Sequence, residues 1–220
     1  MIARWTMRLL ATTTLSLLGC VSELDLGHHA DGGGGSSVDA GDGGALDAGH
    51  EGKLIFVTDN RYIGDLRTEG GAASGLAGGD AICMMEAKAA HLGGVYRAWL
   101  SSSTENAKDR IAPVGPWRRV DGITVFPGHA VVGPPLHYLQ ISASGDTLFA
   151  STNPEVWTGT TGDGVYDPDH TACGDWASGA SSQEGTYGIV VSDNDEWTEY
   201  GLFGETLPCS ARARLYCFEQ

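Results

Sequence analysis

The sequence predicts an α+β domain over residues 53–220, and three features of the chain support that prediction. One segment, Asp80–Leu92, has the apolar spacing of a helix, and short apolar or alternating runs typical of strands lie on either side of it. Turn residues become frequent after Pro113, so the chain lacks the regular alternation of strand and helix that a doubly wound nucleotide-binding sheet requires.

The domain begins with a predicted strand and a predicted helix. Leu54–Val57 is a short apolar strand that ends at the turn-prone residues Thr58–Asn60. Gly93 and Gly94 end the helix, and Cys83 is expected at the edge of its apolar face. That face consists of apolar residues three or four positions apart: Ala81, Ile82, Met85, Ala89 and Leu92.

The remaining predicted elements are short. Val95–Leu100 alternates as a second strand, and Thr104–Ile111 is a second helix that stops before Pro113. Further strands are expected in four segments: Arg118–Phe126, Val156–Thr158, Tyr187–Ser192 and Leu215–Phe218.

An export signal and a linker precede this domain. Residues 1–19 combine a positive start at Arg4 and Arg8 with an apolar run, and are predicted to be a signal peptide. The run is about half of the roughly 20 residues that span a bilayer, so we expect no transmembrane helix from it. Residues 20–52 are predicted to be a disordered linker, because residues 21–52 contain ten glycines and seven acidic residues but no Lys, Arg or aromatic residue.

Cys20 is the candidate site of lipid attachment. Leu17–Cys20 resembles the bacterial lipobox, which implies cleavage before Cys20 and acylation of its sulfur. Such a lipid would be the protein's contact with the membrane. Val21 stands where inner-membrane retention favours aspartate, so we expect an outer-membrane lipoprotein that faces the periplasm or the cell surface. The alternative is an ordinary signal peptide with an incidental cysteine.

Charge limits the possible partners of the domain, and cysteine content predicts its disulfides. Residues 53–220 carry 21 acidic and 11 basic side chains, a net charge of −10, which argues against nucleic acid as a partner. In an exported domain, the four cysteines Cys83, Cys173, Cys209 and Cys217 are expected to form two disulfides. Three connectivities are possible, and the sequence pattern does not choose among them.

Several motifs resemble the endostatin-like branch of the C-type-lectin-like fold, including leptospiral endostatin-like proteins and other bacterial lipoproteins. These motifs are Gly79–Cys83, Leu92–Ser102, Val156–Gly159, Cys173–Trp176 and the spacing of Cys209 and Cys217. The resemblance implies two short helices packed on a twisted, mostly antiparallel sheet with a long loop region. It also implies the nested disulfides Cys83–Cys217 and Cys173–Cys209. Endostatin's heparin and zinc sites do not carry over, because the domain is acidic and only His50 lies near the zinc-binding position.

Calcium is the sharpest metal hypothesis. Asp163, Asp167 and Asp169 place three carboxylates within seven residues, and Ca²⁺ prefers oxygen ligands. The Glu-Pro-Asn motif of sugar-binding relatives is absent, since Asn153–Glu155 has these residue types in reverse order. The alternative is that these aspartates are polar turn residues. Apart from a possible calcium ion, we expect no cofactor.

Exposed tryptophans would favour a sugar-binding platform. Trp157 and Trp176 occupy motif positions that are expected in the core. Trp117 and Trp197 are the better candidates for exposure, although tryptophan is buried on average.

No catalytic set is recognisable in the sequence. The Gly-x-Ser-x-Gly and His-Glu-x-x-His motifs are absent, and the domain's histidines, His91, His129, His137 and His170, are scattered. We therefore expect a membrane-anchored lipoprotein that presents a non-catalytic binding module for a protein or glycan ligand. The alternatives are a calcium-dependent carbohydrate-binding lectin and a structural envelope protein.

Overall fold

The computed structural model describes residues 52–150, 153–166, 168, 171–201 and 205–220. The predicted signal peptide, Cys20 and the linker through residue 51 lie outside the described residues, as do Asp167 and Asp169. The described part has the α+β architecture that the sequence predicts, with short helices and mostly antiparallel strands. None of its helices is both long enough and apolar enough to cross a bilayer.

Strands and helices alternate irregularly along the described chain. The strands are β1 (Lys53–Val57), β2 (Tyr96–Ala98), β3 (Trp117–Arg119), β4 (Thr124–Phe126), β5 (Glu155–Trp157), β6 (Glu184–Ile189), β7 (Thr206–Pro208) and β8 (Tyr216–Glu219). The right-handed helices are α1 (Leu66–Glu69), α2 (Gly75–Ala89), α3 (Ala107–Arg110) and a 3₁₀ turn, Asp195–Trp197.

The strands form two sheets. The larger has the order β2-β8-β1-β3-β4, and the smaller has the order β5-β6-β7. All neighbouring strands are antiparallel except β1 and β3, which run parallel with Lys53 beside Trp117. The five-stranded sheet separates two apolar clusters, because side chains alternate along β1: Phe56 packs on one side, and Ile55 and Val57 pack on the other.

Helix α2 begins five residues earlier than predicted and ends earlier, at Ala89. Ser74 caps it by accepting from the Ala77 N–H at 3.3 Å. The prediction began at Asp80 because it followed the spacing of apolar residues, and that spacing does not include the glycines before Asp80. They lie inside the helix at close backbone contacts: a Cβ on Gly78 would lie 2.1 Å from the Leu66 carbonyl oxygen.

The buried face of α2 also differs from the predicted one. Cys83 is fully buried, whereas Met85, which was expected on the apolar face, is 52% exposed. The prediction counted apolar residues only, but glycines and one carboxylate belong to the buried face: Gly75, Gly78, Gly79, Ile82, Cys83, Glu86 and Ala87.

Glu86 is that carboxylate, and it is satisfied by the loop that follows β1. The N–H groups of Asp59 and Asn60, the side-chain amide of Asn60 and the Tyr62 hydroxyl all donate to it. A buried carboxylate is tolerated when its acceptor sites are filled in this way, so Glu86 fixes the loop to the helix.

Two further predicted segments need correction, and two elements were missed. Arg118–Phe126 is not one strand but the hairpin β3–β4, whose turn contains Gly122 at φ +90°. The helix predicted over Thr104–Ile111 is only the single turn α3. Helix α1 and strand β7 were not predicted, because segments of three or four residues are too short to show a period.

The structure contains both disulfides that the family resemblance implies. Cys83 of α2 bonds to Cys217 of β8, with their Cα atoms 5.5 Å apart. Cys173 bonds to Cys209, with their Cα atoms 5.6 Å apart. All four of these cysteines are fully buried. The first disulfide therefore joins α2 to the sheet within the core, and the second joins two segments of the loop region there.

Candidate functional site

Two neighbouring pockets share Asp175. The Asp175 cleft has a volume of about 410 Å³, and its polar or aromatic lining residues are Ser103, Tyr166, Thr171, Asp175, Ser182, Gln183 and Glu184. The Arg110 pocket has a volume of about 520 Å³, and its polar lining includes Ser74, Asp80, Arg97, Glu105, Arg110 and Asp175. Pockets of this size are ordinary for ligand sites, so the surface around Asp175 is the candidate binding surface.

Asp175 lies on a left-handed turn, which we define as Cys173–Trp176. All four residues have positive φ: 49° at Cys173, 60° at Gly174, 56° at Asp175 and 61° at Trp176. For residues other than glycine this conformation costs about 1–2 kcal/mol each, and aspartate tolerates it better than most. Consecutive residues in this region are held there by their surroundings and are commonest at ligand sites.

The surroundings of the left-handed turn restrain it from several sides. The Cys173–Cys209 disulfide holds its first residue. At its last residue, the Trp176 indole N–H donates to the Ser101 carbonyl at 2.8 Å, and the side chain is fully buried. A Cβ on Gly75 would lie 2.1 Å from the Asp175 carbonyl oxygen, so only glycine at this position of α2 lets the turn pack so closely.

The carboxylates of the Asp175 cleft accept hydrogen bonds from uncharged donors. The Ser103 N–H and hydroxyl donate to the two Asp175 oxygens, each at 2.7 Å. The Thr206 hydroxyl donates to Glu184 at 2.7 Å. Within the described part of the chain, neither carboxylate lies in a salt bridge. Among the described residues, therefore, no cation pairs with the negative charge of these two carboxylates.

Charges in the Arg110 pocket are instead paired with one another. Arg110 is only 5% exposed, and its guanidinium lies 2.6 Å from Asp80 and 3.2 Å from Glu105. Asp80 also accepts from the N–H of Ala98, and Arg97 donates to the Arg110 carbonyl at 3.0 Å. These contacts tie α2, β2 and α3 together, so this network is mainly structural.

The calcium hypothesis falls mostly on residues outside the described ranges. Asp163 is exposed and lines a third pocket, of about 230 Å³, together with Trp99, Lys108 and Trp197. Asp167 and Asp169 lie outside the described residues. Among the residues that are described, no group of three or more His, Cys, Asp or Glu side chains could hold a metal ion.

Every tryptophan in the described residues is buried. Trp157 and Trp176 lie in the core, as expected. The two candidates for exposure are also buried: Trp117 is 0% exposed and Trp197 is 1% exposed. Their indoles pack against other rings, with Trp117 and Phe218 centred 5.7 Å apart. These tryptophans therefore offer no exposed platform for stacking on a sugar.

The described histidines do not form a catalytic pair. His91, His129 and His137 are exposed: His91 follows α2, and the other two lie in the connection between β4 and β5. His170 lies outside the described residues. The one serine of the Asp175 cleft with a short side-chain contact to an acid is Ser103, and its partner is Asp175.

Sequence reasoning missed the two carboxylates of the cleft, Asp175 and Glu184, and Ser103, which donates hydrogen bonds to Asp175. Asp175 was noticed only as part of the Cys173–Trp176 motif. No periodicity distinguishes these residues, which are 72 and nine positions apart and meet only through the fold. The one available signal was that Asp175 is two residues from a cysteine expected to be disulfide-bonded, where the backbone is constrained.

Comparison with known proteins adds no assignment. No protein-family model matches the chain, and no curated protein is significantly similar to it.

Proposed function

We propose that this chain is a membrane-anchored envelope lipoprotein, and that residues 53–220 form a non-catalytic binding module with the C-type-lectin-like, endostatin-like fold. The Asp175 cleft receives its ligand, which is a protein or a glycan. Three features support the fold: β1 and β8, near the two ends of the domain, pair in antiparallel fashion, one disulfide joins α2 to β8, and a second crosses the loop region.

The observation that carries the proposed binding role is the restrained left-handed turn at the cleft. Three residues other than glycine adopt positive φ there, at a cost of about 1–2 kcal/mol each. The turn is nevertheless held by a disulfide and by the hydrogen bonds of Trp176 and Asp175. A rigid, preformed site binds with a smaller loss of entropy than a mobile one, which gives such restraint a use in recognition.

The anchor and the cell location have separate support. Two buried disulfides indicate an oxidising compartment, as expected for an exported protein. The signal-peptide pattern of residues 1–19 and the lipobox-like Leu17–Cys20 support attachment to a membrane through Cys20. The Gly-rich linker would hold the module roughly 30 Å from the lipid surface.

Binding of the full chain to arrays of glycans and extracellular-matrix proteins tests this proposal. Ser182 is exposed and lines the Asp175 cleft, so Ser182→Trp should fill the cleft and abolish binding to whichever ligand the arrays reveal. Thr124→Trp adds the same bulk at an exposed position of β4 and should leave that binding unchanged. Silence across both arrays, or equal binding by the two variants, would refute a role for the cleft.

The same arrays separate the alternatives. Loss of glycan binding in a chelator would favour the calcium-dependent lectin suggested by Asp163, Asp167 and Asp169. A stable protein partner that co-purifies with the Ser182→Trp variant as well as with the unchanged chain would favour a structural envelope protein.

A further inference from the structure

We draw no further inference here: the strongest candidate, the Arg110 pocket beside the N-terminus of α2, points to no ligand, because Arg110 is already paired with Asp80 and Glu105 and the end of a helix does not by itself form a site.

Discussion

The two disulfides hold regions of this domain that differ in what else stabilises them. The first joins α2 to β8 within what we call the frame, defined as α2 and the five-stranded sheet. The second holds Cys173 at the start of the left-handed turn. Each closes a chain segment, with sequence separations of 134 and 36 residues.

In the frame, the backbone conformation is favourable and packing is extensive. Helix α2 buries Ile82, Cys83 and Ala87 against the sheet, and the β1, β2 and β8 strands are joined by ladders of hydrogen bonds. The disulfide there adds to a structure that hydrophobic burial already favours.

In the left-handed turn, by contrast, the backbone itself is unfavourable. Cys173, Asp175 and Trp176 adopt positive φ, and the turn persists only because its disulfide, Ser103 and the burial of Trp176 restrain it. The comparison indicates that covalent restraint supports stability in the frame and local geometry at the cleft. The predictions below test that division, from the largest expected effect to the smallest.

Reduction of both disulfides should unfold the domain. In the chain-entropy model the two crosslinks contribute roughly 5 and 4 kcal/mol, which is comparable with the whole stability of an ordinary domain, about 5–15 kcal/mol. Thermal melts with and without a reductant measure the effect. Identical curves would show that the disulfides contribute little.

Separate removal of each crosslink is the matched control for that experiment. The double variant Cys83→Ala, Cys217→Ala should lose stability throughout the frame. The variant with alanine at 173 and 209 should also release the Ser103 N–H, whose hydrogen bond to Asp175 depends on the left-handed turn. Hydrogen exchange of that amide distinguishes the two variants. Equal protection in both would contradict the different roles assigned to the two disulfides.

Replacing the buried glycines of α2 should destabilise the domain although alanine favours a helix. Alanine in a helix interior gains about 1 kcal/mol over glycine. However, a Cβ on Gly78 would lie 2.1 Å from the Leu66 carbonyl oxygen, and one on Gly75 equally close to that of Asp175. Overpacking of this kind costs typically 1–3 kcal/mol and more where backbone must move, so the clash outweighs the gain. Denaturant unfolding measures the difference.

The two glycine variants also separate the two regions. Gly78→Ala disturbs the contact of α2, the helix of the frame, with α1, whereas Gly75→Ala displaces the left-handed turn and should weaken ligand binding as well. Gly93→Ala is the control, because its Cβ would meet nothing within 4 Å, and it should change stability by less than about 0.5 kcal/mol. A stability gain in Gly78→Ala would contradict the packing shown by the structure.

Alkaline pH should weaken the domain through its buried tyrosines. Burial raises the pKa of Tyr216 and Tyr96 well above the usual value of about 10, and burial together with Glu86 does the same for Tyr62. Burial also raises the pKa of Tyr187 to about 12. The folded state therefore keeps protons that the unfolded state loses above about pH 10, so stability is fully present below that pH and falls as the pH rises further. Denaturant midpoints at about pH 8 and pH 11 measure the fall.

Tyr216→Phe is the control for the alkaline effect. The Tyr216 hydroxyl is fully buried and has no hydrogen-bond partner among the described residues, so its removal should not lower stability at neutral pH. The variant should also lose less stability than the unchanged chain on going to alkaline pH. An equal loss would show that other groups cause the alkaline effect.

Much of the frame was predictable because its signals are local. The apolar run of β1 and the alternation of β2 predicted strands at nearly the correct positions. The buried face of α2 was not predicted correctly, since three glycines and Glu86 supply part of it and none of them counts as apolar. Their burial depends on the partner backbone in α1 and the left-handed turn, which a periodicity does not contain.

The chain's amino acids fix its oxidised, acidic, α+β character and the positions of most strands, because composition and short-range spacing are properties of neighbouring residues. Folding in three dimensions brings Ser103, Asp175 and Glu184 to one cleft and bends Cys173–Trp176 into a left-handed conformation. These features arise from contacts between segments far apart in the chain, and such contacts exist only once the core, the crosslinks and the close-packed glycines are in place.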